Sequence, residues 1–161
     1  MIKLHHLNKS RSKRIIWLLE ELGVEYELVA YQRDAKTFLA PDSLKKIHPL
    51  GKSPVLEADG FTIAESGAIT QYLIQTHGAD KLMPAKGSAD YVDYLQWMHF
   101  AESSAALPLL LKIFVKMEGA DTRFIGGYAD AETAKVLSYV NHRLDGKRYL
   151  VGDSLSGADI M

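Results

Sequence analysis

Apolar and polar residues alternate at the start of the chain, Ile2 and Leu4 against Lys3 and His5, which predicts a first strand. A polar, basic stretch follows, Asn8-Lys9-Ser10-Arg11-Ser12-Lys13-Arg14. The pattern then lengthens to helical spacing at Ile15, Leu18, Leu19 and Leu22, and Gly23 stands where a left-handed residue ends a helix. Alternation returns over Val24–Tyr31, with Tyr26 and Leu28 against Glu25 and Glu27. Strand, helix and strand in this order predict a right-handed crossover between parallel strands.

Arg33–His48 is mixed. Pro41 at a helix start, with Leu44 and Ile47 inward, predicts one short helix. Two strand-forming runs, Val55–Ala58 and Phe61–Ala64, then flank Asp59-Gly60, a pair that reaches positive φ and predicts a tight hairpin. Ser66 is expected to cap a helix carrying Ile69, Tyr72, Leu73 and Thr76, closed by Gly78. A four-stranded mixed sheet with helices on both faces accommodates all of these elements.

The composition changes after residues 79–86, which read as a linker between a first domain (residues 1–78) and a second (87–161). Ser88–Glu118 reads as one long helix, with Tyr91, Tyr94, Leu95, Met98 and Ala105 on a stripe and a kink expected at Pro108. Leu109–Val115 is nearly all apolar and is expected to be buried on most sides. Ala134, Leu137, Val140 and Leu144 mark a further helix, ended by Gly146. Ser156-Gly157-Ala158-Asp159 has the form of a capping box with Asp in place of Glu.

Composition narrows the chemistry. The chain has 161 residues, 47% of them apolar, and a net charge of −1, which gives no case for nucleic acid or an anionic membrane surface. It has no continuous apolar run of about 18 residues and no signal-peptide core at its start, so a soluble cytoplasmic protein is expected. With no cysteine, there is no disulfide, thiolate metal site or cysteine nucleophile, and any sulfur chemistry needs sulfur from a ligand. The six histidines show no metal-site spacing.

Five stretches carry a resemblance: Ser10-Arg11-Ser12, Leu18–Gly23, His48–Leu56, Glu65–Ile69 and Ser156–Asp159. In their order the chain resembles a cytosolic, serine-type, microbial glutathione S-transferase over nearly its whole length. The resemblance implies an α/β thioredoxin-like N-terminal domain (βαβ-α-ββα), an all-α helical-bundle C-terminal domain, glutathione as co-substrate and a homodimer. It also implies that the family's second domain runs several helices beyond the capping box, so this one is expected to be incomplete, with Leu109–Val115 and Leu137–Leu144 short of cover.

The resemblance gives roles to particular residues. Pro54 takes the place of the family's cis-proline, which turns the Ser53 N–H and C=O outward to pair with the cysteinyl backbone of glutathione. Glu65 receives the ligand's ammonium and Ser66 its γ-glutamyl carboxylate. Lys52 is expected to pair with the glycyl carboxylate, though a solvated lysine is the plainer reading. Ser10, with Ser12 as fallback, is expected to donate a hydrogen bond to the glutathione sulfur; the plainer reading of either is a helix cap. Arg11 and Arg14 either steer the anionic tripeptide or form a solvated basic face. Tyr91, Tyr94, Trp97 and Phe100 suit a core or dimer interface, with Met98 or His99 lining an apolar co-substrate pocket. The activity implied is conjugation of glutathione to a small apolar electrophile, with a peroxidase side activity. The alternative is a non-catalytic binding or interaction module on the same fold.

Overall fold

The computed structural model describes residues 1–78, 81–119 and 121–161, and the chain forms two compact units, Met1–Leu82 with Ile160, and Met83–Asp159 with Met161. Residues 79 and 80 of the expected linker lie outside the described residues.

The first unit is built on a four-stranded sheet in the order β2-β1-β3-β4. β1 (Ile2–Leu7) runs parallel to β2 (Tyr26–Tyr31) and antiparallel to β3 (Val55–Ala58), which pairs with β4 (Phe61–Ala64) as a hairpin. The hairpin closes through Asp59 (φ 50°) and Gly60 (φ 83°), both in the left-handed region that a two-residue turn of this hand requires. The Tyr72 hydroxyl donates to Asp59 Oδ2 at 2.7 Å and ties the turn to the helix that follows β4.

α1 (Ser12–Leu22) buries Ile15, Leu18 and Leu19, each fully buried leucine being worth about 1.5–3 kcal/mol. It ends at Gly23 (φ 63°), where Gly23 N–H donates to the Glu20 carbonyl and Val24 N–H to that of Leu19, so orphan carbonyls of the last turn are satisfied. These bonds hold Val24 in the helix terminus, and β2 begins two residues later than the alternation suggests. α2 (Asp42–Lys45) is a single turn with Leu44 buried. α3 (Ser66–His77) buries Ile69, Thr70, Leu73 and Ile74; the inward stripe therefore omits Tyr72 and Thr76. Its N-cap is Glu65, not Ser66, which is the first helical residue.

In the second unit α4 (Ala89–Phe100) starts at Ser88, whose Oγ accepts from Tyr91 N–H at 3.1 Å. α4 runs through a π-helical turn (Ala101–Ala105) into α5 (Ala106–Glu118). The break lies upstream of Pro108, not at it. A proline lacks the N–H that would reach back four residues, and its ring crowds the carbonyl there, so the disturbance falls on the preceding turn. The run Ala89–Glu118 is long and apolar enough to cross a membrane by length and composition alone, a test that core helices of soluble proteins also pass.

Tyr94, Trp97 and Met98 of α4 form the core of this unit with Val151 and Ala158. Trp97 stacks on Tyr139 and meets Phe100 edge-on. The Leu109–Val115 segment is not enclosed: Ile113 is 51% and Phe114 58% exposed, and Leu137 is 58% exposed. α6 (Ile125–Leu144) begins well before Ala134 because Thr122 Oγ1 accepts the Gly126 N–H at 2.9 Å, while Gly126 and Gly127 hide the start from a propensity reading. The capping box at α7 (Gly157–Ile160) is complete, with Ser156 N–H donating to Asp159 Oδ2 at 2.9 Å.

Candidate functional site

Strand register gathers one end of the first unit's sheet. His5 stands opposite Val55, so the C-terminal end of β1 meets the residues just before β3. Val55 stands opposite Ala64, so Pro54 and Glu65 flank the same end of the hairpin. Three chain segments thus converge there: Leu7–Ser12, Lys52–Pro54 and Glu65–Ser66. The Ser53–Pro54 peptide bond is cis.

Ser53 fastens two of these segments. Its Oγ donates to the His5 carbonyl at 2.7 Å and accepts from Leu7 N–H at 3.1 Å. Its own N–H and C=O have no backbone partner among the described residues. Gly51 (φ 57°) shapes the approach by closing a turn on the His48 carbonyl at 2.8 Å.

A row of hydroxyls runs inward from Ser53. Ser10 Oγ lies 3.5 Å from Ser53 Oγ and 2.7 Å from Ser12 Oγ, and Ser12 Oγ lies 2.7 Å from His6 Nδ1. Neither serine is a helix cap: Arg11 holds that position, and Ser12 is the first residue of α1. Ser12 has no exposed surface, so it cannot touch a ligand, whereas Ser10 is half-buried. Burial holds the His6 imidazole below its usual pKa, and the Lys13 charge adds to that shift. His6 escapes a reading by motif, but one signal exists: the alternation of β1 puts it on the face of Ile2 and Leu4, where a polar side chain needs a partner.

Glu65 has φ 72° and ψ 119°, a conformation that side-chain-bearing residues rarely adopt. Such a residue costs of order 1–3 kcal/mol and is often found at ligand sites. It turns the chain from β4 directly into α3, whose first turn has backbone N–H groups without helical partners and a positive dipole end. Ser66 is buried there at 3% exposure, while Lys52 is exposed. The arrangement offers a hydroxyl donor, an extended backbone edge, a carboxylate and a helix N-terminus at one end of the sheet, a set that suits a small zwitterionic peptide.

Other candidates lie elsewhere. Met98 is 7% exposed within the core of the second unit, so it packs there and does not line an open pocket. His99 is exposed, and its carbonyl accepts from Ser103 Oγ at 2.8 Å. His5 belongs to the sheet's polar face, with Nε2 2.6 Å from Glu57 Oε1 and Nδ1 2.9 Å from the Tyr31 hydroxyl. Arg11 and Arg14 both have partners of their own. Among the described residues no cluster of three or more histidine or carboxylate side chains forms a metal site.

Residues 1–75 match the family model for the glutathione S-transferase N-terminal domain, and residues 127–161 that for the C-terminal domain. Glutathione S-transferase 3 of Schizosaccharomyces pombe is 37% identical over 99% of this chain and 70% of its own length. Glutathione S-transferase 1 of Saccharomyces cerevisiae is 37% identical over 100% and 77%. A glutathione S-transferase of Actinobacillus pleuropneumoniae superposes with a TM-score of 0.89 at 38% identity, over 99% of this chain and 74% of that one. A glutathione transferase homolog of Lodderomyces elongisporus, solved with two GSH per subunit, gives 0.83 at 25% identity over 99% and 79%. A probable elongation factor 1-gamma of Arabidopsis thaliana is 29% identical over 96% of this chain but 37% of its own length. The chain belongs to the glutathione S-transferase family.

Proposed function

We propose that this chain binds glutathione along the groove from Ser10 to Ser66, keeps its sulfur as a thiolate and conjugates it to a small apolar electrophile. The carrying observation is the 3.5 Å separation of Ser10 Oγ from Ser53 Oγ. It sets a hydroxyl beside the backbone edge on which the cysteinyl residue would pair. The γ-glutamyl carboxylate then meets Ser66 and the N-terminus of α3, the ammonium meets Glu65, and Lys52 serves the glycyl carboxylate.

A free thiol titrates near pH 8.5, so only a few per cent is thiolate at neutral pH. A donated hydrogen bond with a nearby helix N-terminus lowers that value by about one to two units, or roughly 1.4–2.8 kcal/mol. The thiolate sulfur then forms a bond to the electrophilic carbon as the leaving group departs with its electron pair. Catalysis rests on positioning and electrostatic stabilisation of the anion. A hydroperoxide is the second class of acceptor to assay, and a homodimer is the expected working form, to be checked by light scattering.

The test is Ser10→Ala, assayed with a chromogenic aryl halide. At pH 7 turnover should fall roughly eightfold to twenty-five-fold, the loss of thiolate that a rise of one to two pKa units back to about 8.5 implies, with glutathione affinity largely kept. Full activity in that variant removes Ser10 from the chemistry. A second reading, a non-catalytic module, draws on the likeness to elongation factor 1-gamma. Retention on immobilised glutathione without any conjugation would favour it.

A further inference from the structure

We propose that His6 is a positioning residue for this site: its Nδ1–H donates to Ser12 Oγ, Ser12 donates to Ser10 Oγ, and the Ser10 proton is thereby left for the glutathione sulfur. The inference rests on the glutathione reading and deepens it.

The argument is a count of protons. Each serine hydroxyl has one proton to give and two lone pairs to accept with. The Ser53 proton is committed to the His5 carbonyl at 2.7 Å, so Ser53 can only accept from Ser10. At 2.7 Å, one of Ser10 and Ser12 donates to the other. If Ser10 donates inward, it turns lone pairs toward a ligand sulfur and repels a thiolate. If Ser12 donates outward, its own oxygen is left to accept from His6 Nδ1 at 2.7 Å, and that nitrogen must carry the hydrogen. The histidine tautomer therefore selects the direction of the whole row.

One further contact favours the outward direction, while Ser12 N–H, 3.3 Å from Ser10 Oγ, fits either direction because Ser10 has two lone pairs. Ser10 in turn donates to Ser53 at 3.5 Å, the limit of a hydrogen bond. His6, Ser12, Ser10, Ser53 and the His5 carbonyl thus form one row with every proton facing the same way. An arriving sulfur replaces the longest and weakest link, so the Ser10 proton is redirected at little cost. Desolvation and the nearby Lys13 charge lower the basicity of the half-buried His6, which favours the neutral ring in which one tautomer is chosen over the other.

The experiment uses the intact chain with its histidine nitrogens labelled with 15N. Glutathione is titrated in at neutral pH, and the long-range nitrogen–proton correlations of His6 are recorded. The expected result is a single tautomer with hydrogen on Nδ1 in the complex. Binding with hydrogen on Nε2 overturns the relay and leaves the glutathione reading standing. An absence of binding, read from the amide shifts, removes both.

The variants His6→Asn and His6→Asp supply a readout that a structural role would not move. Both fit the same space, but an amide can donate where a carboxylate only accepts. The thiol titration midpoint of bound glutathione, followed by thiolate absorbance, should lie about one unit (tenfold) higher with Asp than with Asn. That gap should largely close in a Ser12→Ala background, which cuts the row. A gap of equal size in both backgrounds is a through-space charge effect and overturns the proposal.

Discussion

Arg143 on α6 forms an ion pair with Asp93 on α4, fifty residues earlier in the chain, while its Nε donates to the Leu150 carbonyl at 2.7 Å. Leu150 N–H in turn donates to Asp159 Oδ1 at 2.8 Å, and Asp159 Oδ2 holds the Ser156 N–H and hydroxyl at 2.9 Å. One side chain thus joins α4, α6 and the capping box of α7. Replacing Arg143 by Met leaves Asp93 and the Leu150 carbonyl without this partner. The expected loss is about 2 kcal/mol, read as a lower urea midpoint with an unchanged slope. A variant as stable as the parent would mean that water serves both groups equally well.

Tyr94 is fully buried, and its hydroxyl has no hydrogen-bond partner among the described residues. Burial, with the neighbouring Tyr91 second, pushes its pKa up to about 12. Tyr94→Phe removes an unsatisfied polar atom, so it should hold or raise stability at neutral pH, by up to about 1 kcal/mol. The pH dependence has a definite sign. A raised folded pKa means that its contribution is present in full below pH 10, the unfolded value, and is lost as pH rises to about 12. The parent should therefore lose of order 2–3 kcal/mol across that window, and the Phe variant should lose less of it in alkaline urea titrations. Parallel curves for the two proteins would argue that Tyr94 ionises without hindrance.

Glu65→Gly separates stability from binding. The backbone at φ 72° and ψ 119° costs Glu about 1–3 kcal/mol, and Gly none, but Gly adds about 0.5–1 kcal/mol of unfolded-state entropy. The variant should gain roughly 1 kcal/mol and lose glutathione affinity, measured by calorimetry. If affinity is kept, Glu65 does not meet the ligand's ammonium.

Phe114 on α5 and Leu137 on α6 are each 58% exposed. The double variant Phe114→Lys, Leu137→Lys should stay within about 0.5 kcal/mol of the parent for each change. Light scattering against concentration should show less self-association, because apolar surface of this kind promotes it. Unchanged scattering would place the sticky surface elsewhere.

Local chemistry was legible in the sequence, and contact at a distance was not. Asp59-Gly60 fixes its hairpin because the turn needs only those two residues to reach positive φ. Gly23 and Ser156–Asp159 are equally self-contained. The break expected at Pro108 lies at Ala101–Ala105 because a proline disturbs carbonyls it does not adjoin in sequence. Ser66 reads as a cap because a hydroxyl before an apolar run is the common N-terminal signal, whereas Glu65 holds that place through backbone conformation alone. Met98 reads as a pocket residue because sequence cannot tell the inner from the outer face of a helix rich in aromatics. His6 escapes a motif reading because its partner stands beyond a turn, at the first residue of the next helix.

The π-helical turn over Ala101–Ala105 fits one more residue into a turn than an α-helix does. Each residue swings a helix by about 100°, so the extra one re-clocks everything downstream. Ala106 and Pro108 are the buried positions of α5, and their azimuth relative to Trp97 is set by that single insertion. Shortening the segment by one residue would leave every α5 side chain intact yet dial the wrong letters inward, much as a frameshift preserves bases and loses the message.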